Sequence, residues 1–250
     1  MKRLLVLFLT FVLLCGCAKT AHLPEKHVIP ADASMGTTED EDGADAFQSM
    51  LDRPDSRYYA INDYYHMKSE GSLHILSQFD TYQQTTEYSC GGAAALMVLN
   101  YYGIDGYNEM DICALAGTDT HKGTSVEGLV SFFDGVGLRQ DYHADTDYRF
   151  DSIEAFEQFV TETIDHGAPI LVDWVDWRGP WQVIIGIDTC GADSPYDDVL
   201  IMADSYDITD HYQDGYYVVP FGRFFDMWCE GPCANKEIPY EQPFVVAYKD

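Results

Sequence analysis

Cys90 opens a run of small and apolar residues, GGAAALMVLNYY, that closes at Gly103, and Gln84 stands six positions ahead of it in a polar, turn-prone segment. A thiol in the first turn of a helix meets backbone N–H groups that have no partner within the helix. It also meets the positive end of the dipole, and both favour the thiolate. A glutamine brought alongside would donate its amide to an oxygen on which negative charge develops. The pair reads as a sulfur nucleophile with an oxyanion donor, the equipment for attack on an acyl or amide carbonyl. Taken singly, Cys90 is equally a small apolar residue packed at a helix start, and Gln84 equally a residue that bonds local backbone.

Such chemistry also needs a base to take the thiol proton. His121 lies in the loop DTHKG and His211 follows the acidic stretch DSYDITD, so either loop could bring an imidazole to the site. His74, His143 and His166 read as surface or helix-end residues. The acidic loop with Asp204, Asp207, Asp210 and Asp214 offers oxygen ligands, but its spacing departs from the twelve-residue calcium loop of the helix–loop–helix type. No Cys/His spacing fits a zinc site, so the sequence implies neither metal nor cofactor. Trp174, Trp177, Trp181 and Trp228 read as core or cleft wall, with Trp174 and Trp177 beside the turn before Pro180.

The elements that must position these residues follow from periodicity. A helix is expected from Cys90 to Tyr102, apolar all round and therefore central. A short one follows over Asn108 to Ala116 with Asn108 as cap, then helices over Thr124–Val136 and Asp151–His166. On the last, Ile153, Phe156, Phe159, Val160 and Ile164 share one face. Beyond Gly167 the pattern turns to strands, near 169–174, 181–188, 199–204, 215–220 and 244–248. Helices first and a mostly antiparallel sheet second imply an α+β domain in two layers.

With these pieces in place, residues 75–228 resemble the papain-like cysteine peptidases that process bacteriocins by cutting double-glycine leaders. The resemblance rests most firmly on the Gln84–Cys90 spacing and the small-residue helix. It implies a papain-like fold with the nucleophile at the start of a helix packed on a mostly antiparallel sheet. It also implies that Gln84 serves the oxyanion, that Cys90 is the nucleophile, and that Asp204 orients an imidazole. The strand that carries the family's histidine matches WQVIIGID at 181–188, but the position ahead of it holds Pro180. Proline carries no side-chain nitrogen, so general-base catalysis, commonly worth about 10²–10⁴-fold, is missing there. The implied activity is hydrolysis of peptide or other acyl and amide bonds through Cys90, with His121 or His211 recruited as base. The alternative is an inactive relative whose cleft binds a peptide or protein partner.

The rest of the chain bounds the setting. Lys2 and Arg3 precede an apolar run ending in LCGC, which resembles a lipoprotein signal cut before Cys17. The expected organisation is a signal peptide over 1–16, an acidic tether over 17–65 and the domain over 66–250. The lipid on Cys17 would anchor the protein outside the cytoplasm at the bacterial cell membrane. A flexible tether of that length reaches on the order of 40 Å. The net charge is −28, which disfavours nucleic acid as a partner. Cys229 and Cys233 bracket Glu-Gly-Pro and could close a small disulfide in an oxidising compartment.

Overall fold

A computed structural model describes residues 62–174, 180–207, 214–230 and 240–249, at 229 and 230 for the backbone alone. Among these residues seven strands form one sheet: β1 (Leu73–Ile75), β2 (Arg139–Asp145), β3 (Ile170–Asp173), β4 (Trp181–Asp188), β5 (Val199–Ala203), β6 (Tyr216–Pro220) and β7 (Glu241–Tyr248). Among the described residues five α-helices accompany it: α1 (Cys90–Tyr101), α2 (Glu109–Leu115), α3 (Val126–Val136), α4 (Ile153–Asp165) and α5 (Phe221–Glu230). The spatial order is β2-β7-β3-β4-β5-β6. β1 continues the β3 side of β4, pairing with Gly186 to Asp188. Every described pairing is antiparallel.

The helices start where short polar side chains satisfy first-turn N–H groups. Asn108 and Asp111 form a reciprocal capping box on α2, while Ser125 and Ser152 cap α3 and α4. α3 ends on Gly137 at φ +88°, a left-handed position that glycine occupies without penalty. α1 is the exception. The hydroxyl of its N-cap Ser89 is taken up by Thr86, through bonds of 3.2, 2.7 and 3.1 Å, and makes no cap bond. The head of α1 is left for another group.

The faces of the sheet follow from register. Val172 lies opposite both Gln182 and Phe244, whereas Asp173 lies opposite Trp181. Side chains alternate along a strand, so Asp173 and Trp181 share one face and Gln182 and Phe244 the other. α1 packs on the Trp181 face, where a Cβ built on Gly91 would come within 3.1 Å of the Trp181 ring. The other face is covered by α4 and α5. Phe156 stacks on Phe221 and Phe224 at 5.0 and 5.8 Å, and Phe159 and Trp228 lie 5.1 and 6.4 Å from Phe244. Fully burying an aromatic side chain is worth roughly 1.5–3 kcal/mol. The α+β class and antiparallel sheet stand as expected, but the two-layer arrangement does not. α4 and α5 form a second helical layer, and β1, β2 and α5 were not anticipated from periodicity.

α1 approaches α2 closely because Gly92 carries no side chain. A Cβ on Gly92 would lie 2.4 Å from Cys113 Sγ and 2.9 Å from the Glu109 carbonyl oxygen. Alanine is otherwise the better helix former by about 1 kcal/mol. The overlap outweighs that gain, since overpacking costs about 1–3 kcal/mol. Gly92→Ala should lower the melting temperature in calorimetry, and an unchanged or raised value would refute this contact.

Candidate active site

Cys90 retains some accessible surface, although its sulfur is enclosed. Two backbone N–H groups donate to that sulfur, Gly91 from the head of α1 and Trp181 from the start of β4. This is the role left open by the uncapped helix. Both donors favour the thiolate, but burial opposes them and wins, and the Asp173 carboxylate adds like-charge repulsion. The thiol is pushed up to about 12. Among the influences on Cys90 in the described residues no imidazole figures.

Trp181 is fixed from the opposite side. Its indole Nε1 donates to the Thr124 carbonyl oxygen at 2.7 Å, tying the start of β4 to the residues leading into α3. Its backbone N–H is thereby aimed along the head of α1. Pro180, half-exposed, immediately precedes this residue.

Gln84 is buried and held by Ser205. Its backbone N–H donates to the Ser205 carbonyl at 2.9 Å, and its Oε1 accepts from Ser205 Oγ at 2.8 Å. One proton of its Nε2 goes to the Thr86 carbonyl at 2.7 Å, and a primary amide carries a second. Glu109, fully buried at the first position of α2, fixes the same segment. Its carboxylate accepts from the Thr85 N–H at 3.0 Å, Thr85 Oγ1 at 2.7 Å and Tyr82 Oη at 3.1 Å.

Asp204 lies next to Ser205, so the structure gathers Gln84, Cys90 and Asp204 at one end of the sheet. No described contact joins Asp204 to Cys90. Oδ2 of Asp204 accepts from Gln182 Nε2 and Oδ1 from the Tyr206 N–H, both at 2.9 Å. Gln182 Oε1 in turn accepts from Trp174 Nε1 at 2.5 Å and Tyr217 Oη at 2.7 Å. An amide that does not titrate near neutral pH therefore occupies the carboxylate that was expected to orient an imidazole.

The remaining sequence candidates are placed as follows. His121 is exposed in the turn closed by Asp119 and Gly123, where its backbone N–H donates to Asp119 Oδ1 at 2.8 Å. His211, Trp177, Cys229 and Cys233 lie outside the residues whose side chains are described. His74, His143 and His166 bond Asp165, the Asp147 carbonyl and the Glu162 carbonyl. Trp174 is buried, in keeping with the core reading. Asp207 Oδ2 accepts from the Gly215 N–H at 2.7 Å and Asp214 Oδ1 from the Tyr216 N–H at 3.0 Å, so both brace the backbone. No group of His, Cys, Asp and Glu suited to a metal ion occurs among the described residues.

Four residues at this end of the sheet escaped sequence reasoning: Glu109, Asp173, Gln182 and Ser205. Asp173 is the notable one. Buried and on the α1 face, its carboxyl is held up at about 8 by loss of solvent.

Comparison with known proteins bears on the first half of the site. Residues 78–160 match the model of the Peptidase C39 family. Over those residues the chain is Peptidase C39-like, and the match takes in Gln84 and Cys90 but ends before Pro180 and Asp204. No curated protein matches. Two solved structures are similar to the chain. One is the peptidase domain of Streptococcus ComA, a bifunctional ABC transporter involved in quorum sensing. It is 16% identical, covers 68% of this chain and 99% of that one, and has a TM-score of 0.44. The other is a double-glycine-motif protease from an AMS/PCAT transporter in complex with the leader peptide. It is 14% identical, covers 68% of this chain and 91% of that one, and has a TM-score of 0.42.

Proposed function

We propose that residues 66–250 form a cysteine peptidase-type hydrolase that cleaves peptide or related amide bonds through Cys90. The observation that carries this reading is the sulfur at the uncapped head of α1, receiving N–H groups from Gly91 and Trp181. Gln84 stands on the adjoining loop as oxyanion donor. Cys90 attacks the carbonyl carbon, the oxyanion is held by backbone and Gln84 donors, and the amine leaves to give a thioester that water hydrolyses. The LCGC pattern at Cys17 supports placing this domain on a lipid anchor outside the cytoplasm, with 17–65 as tether.

A second reading is favoured by Pro180 together with a thiol pushed up to about 12. In it the cleft binds a peptide or protein partner and does not cut it. Fluorogenic casein distinguishes the two. The hydrolase reading expects release by the wild type and background release by Cys90→Ala. Equal release by both proteins would remove Cys90 from the chemistry. No release by either, with retained binding of the same peptides in calorimetry, would establish the binding role.

A further inference from the structure

Resting on that hydrolase reading, we propose that Asp173 is the proton partner of Cys90, carrying the thiol proton to the leaving amine in place of the absent imidazole. The geometry comes from the sheet. β3 and β4 pair so that Asp173 stands directly opposite Trp181, and Trp181 donates its backbone N–H to the Cys90 sulfur. Alternation puts the Asp173 side chain on the face against which α1 packs. The carboxylate is buried there and close enough to repel a charge on Cys90. None of the histidines in the described residues has this relation to the sulfur.

The chemistry suits the place. A carboxyl group held up by burial passes between acid and base near neutral pH, as a proton carrier must. As the sulfur bonds to the carbonyl carbon, the S–H proton moves to the ionised Asp173. When the C–N bond breaks, that proton goes to the nitrogen and the amine departs neutral. In the second half water attacks the thioester, gives one proton to Asp173, and the sulfur recovers it. Every proton is returned and no co-reactant besides water is needed.

An imidazole acts differently, because its protonated form stabilises the thiolate. The Asp173 carboxylate repels the thiolate, so its removal should have opposite effects on two kinds of reaction. Iodoacetamide needs only the thiolate and has no leaving group to protonate, so Asp173→Asn should label Cys90 at least about tenfold faster at pH 10, where a carboxyl held at about 8 is ionised. Cleavage of hippuryl p-nitroanilide, whose nitrogen needs a proton, should fall by about 10²-fold or more. The matching p-nitrophenyl ester should be spared, and Asp173→Glu should recover part of the anilide activity.

Intact mass spectrometry reports acyl-Cys90, and circular dichroism checks folding of each variant. Unchanged labelling in folded Asp173→Asn would overturn the contact. Faster labelling with unchanged anilide cleavage would overturn proton carriage and leave Asp173 as a suppressor of the thiol. A wild type that acylates with neither substrate would overturn the hydrolase reading, and proton carriage with it. The labelling arm would still report whether Asp173 and Cys90 are coupled.

Discussion

Pro180→His should raise the rate of iodoacetamide labelling of Cys90 at pH 7 by at least about 100-fold. A thiol held near 12 offers only about one part in 10⁵ as thiolate at that pH, whereas thiols paired with a protonated imidazole fall to about 3.5–7.5. The new ring would sit one residue before Trp181, whose N–H already reaches the sulfur. Peptide cleavage should gain less than labelling. The Asp204 carboxylate that would set the ring's tautomer is bonded to Gln182 at 2.9 Å, and Gln182 is itself held by Trp174 and Tyr217. An unchanged labelling profile from pH 5 to 10 would show that position 180 does not face the thiol.

Glu109→Ala should cost about 3–5 kcal/mol, since buried donors that lose their acceptor cost about 1–3 kcal/mol each. The loss strands the hydroxyls of Tyr82 and Thr85 and the Thr85 N–H in the interior, and each orphaned group adds its own desolvation. For a domain of this size 1 kcal/mol moves the melting temperature by about 2–4 °C. Calorimetry should therefore register a fall of roughly 6–20 °C. Glu109→Gln should cost less, because one amide oxygen can still accept from Thr85. A fall of under 2 °C for the alanine variant would mean that the segment carrying Gln84 is held by Ser205 and Thr86 alone.

The sequence made much of this site legible because the head of α1 is written locally. Cys90, the two glycines and the alanines can hardly be anything but a tightly packed helix, and the Asn108 cap announces α2. Asp204 was reached through resemblance, and its partner was not. Gln182 sits in an apolar strand where a single amide looks like an exposed position, yet the sheet buries it beneath α5. Asp173 reads as the polar end of ILVD, and Glu109 as an ordinary first-turn acid. Both take their character from burial, which depends on elements distant in sequence. β2 was missed because RQDYHAD lacks apolar alternation, and its residues are half-exposed on both faces. α5 was missed because Pro220 and Gly222 disguise its start. Phe221, Phe224, Phe225 and Trp228 nevertheless keep helical spacing.

The position of β7 has a consequence for the order of assembly. This strand is synthesised after every other described strand, yet it lies between β2 and β3, pairing with both. Until Glu241 to Tyr248 arrive, β2 has no strand neighbour and β3 has a bare margin on one side. Loop closure over so much chain is slow. The ribosome therefore releases a molecule whose first helices can form early but whose middle seam closes last. That delay leaves the exposed margin of β3 as the place where a stalled or truncated copy would recruit a foreign strand.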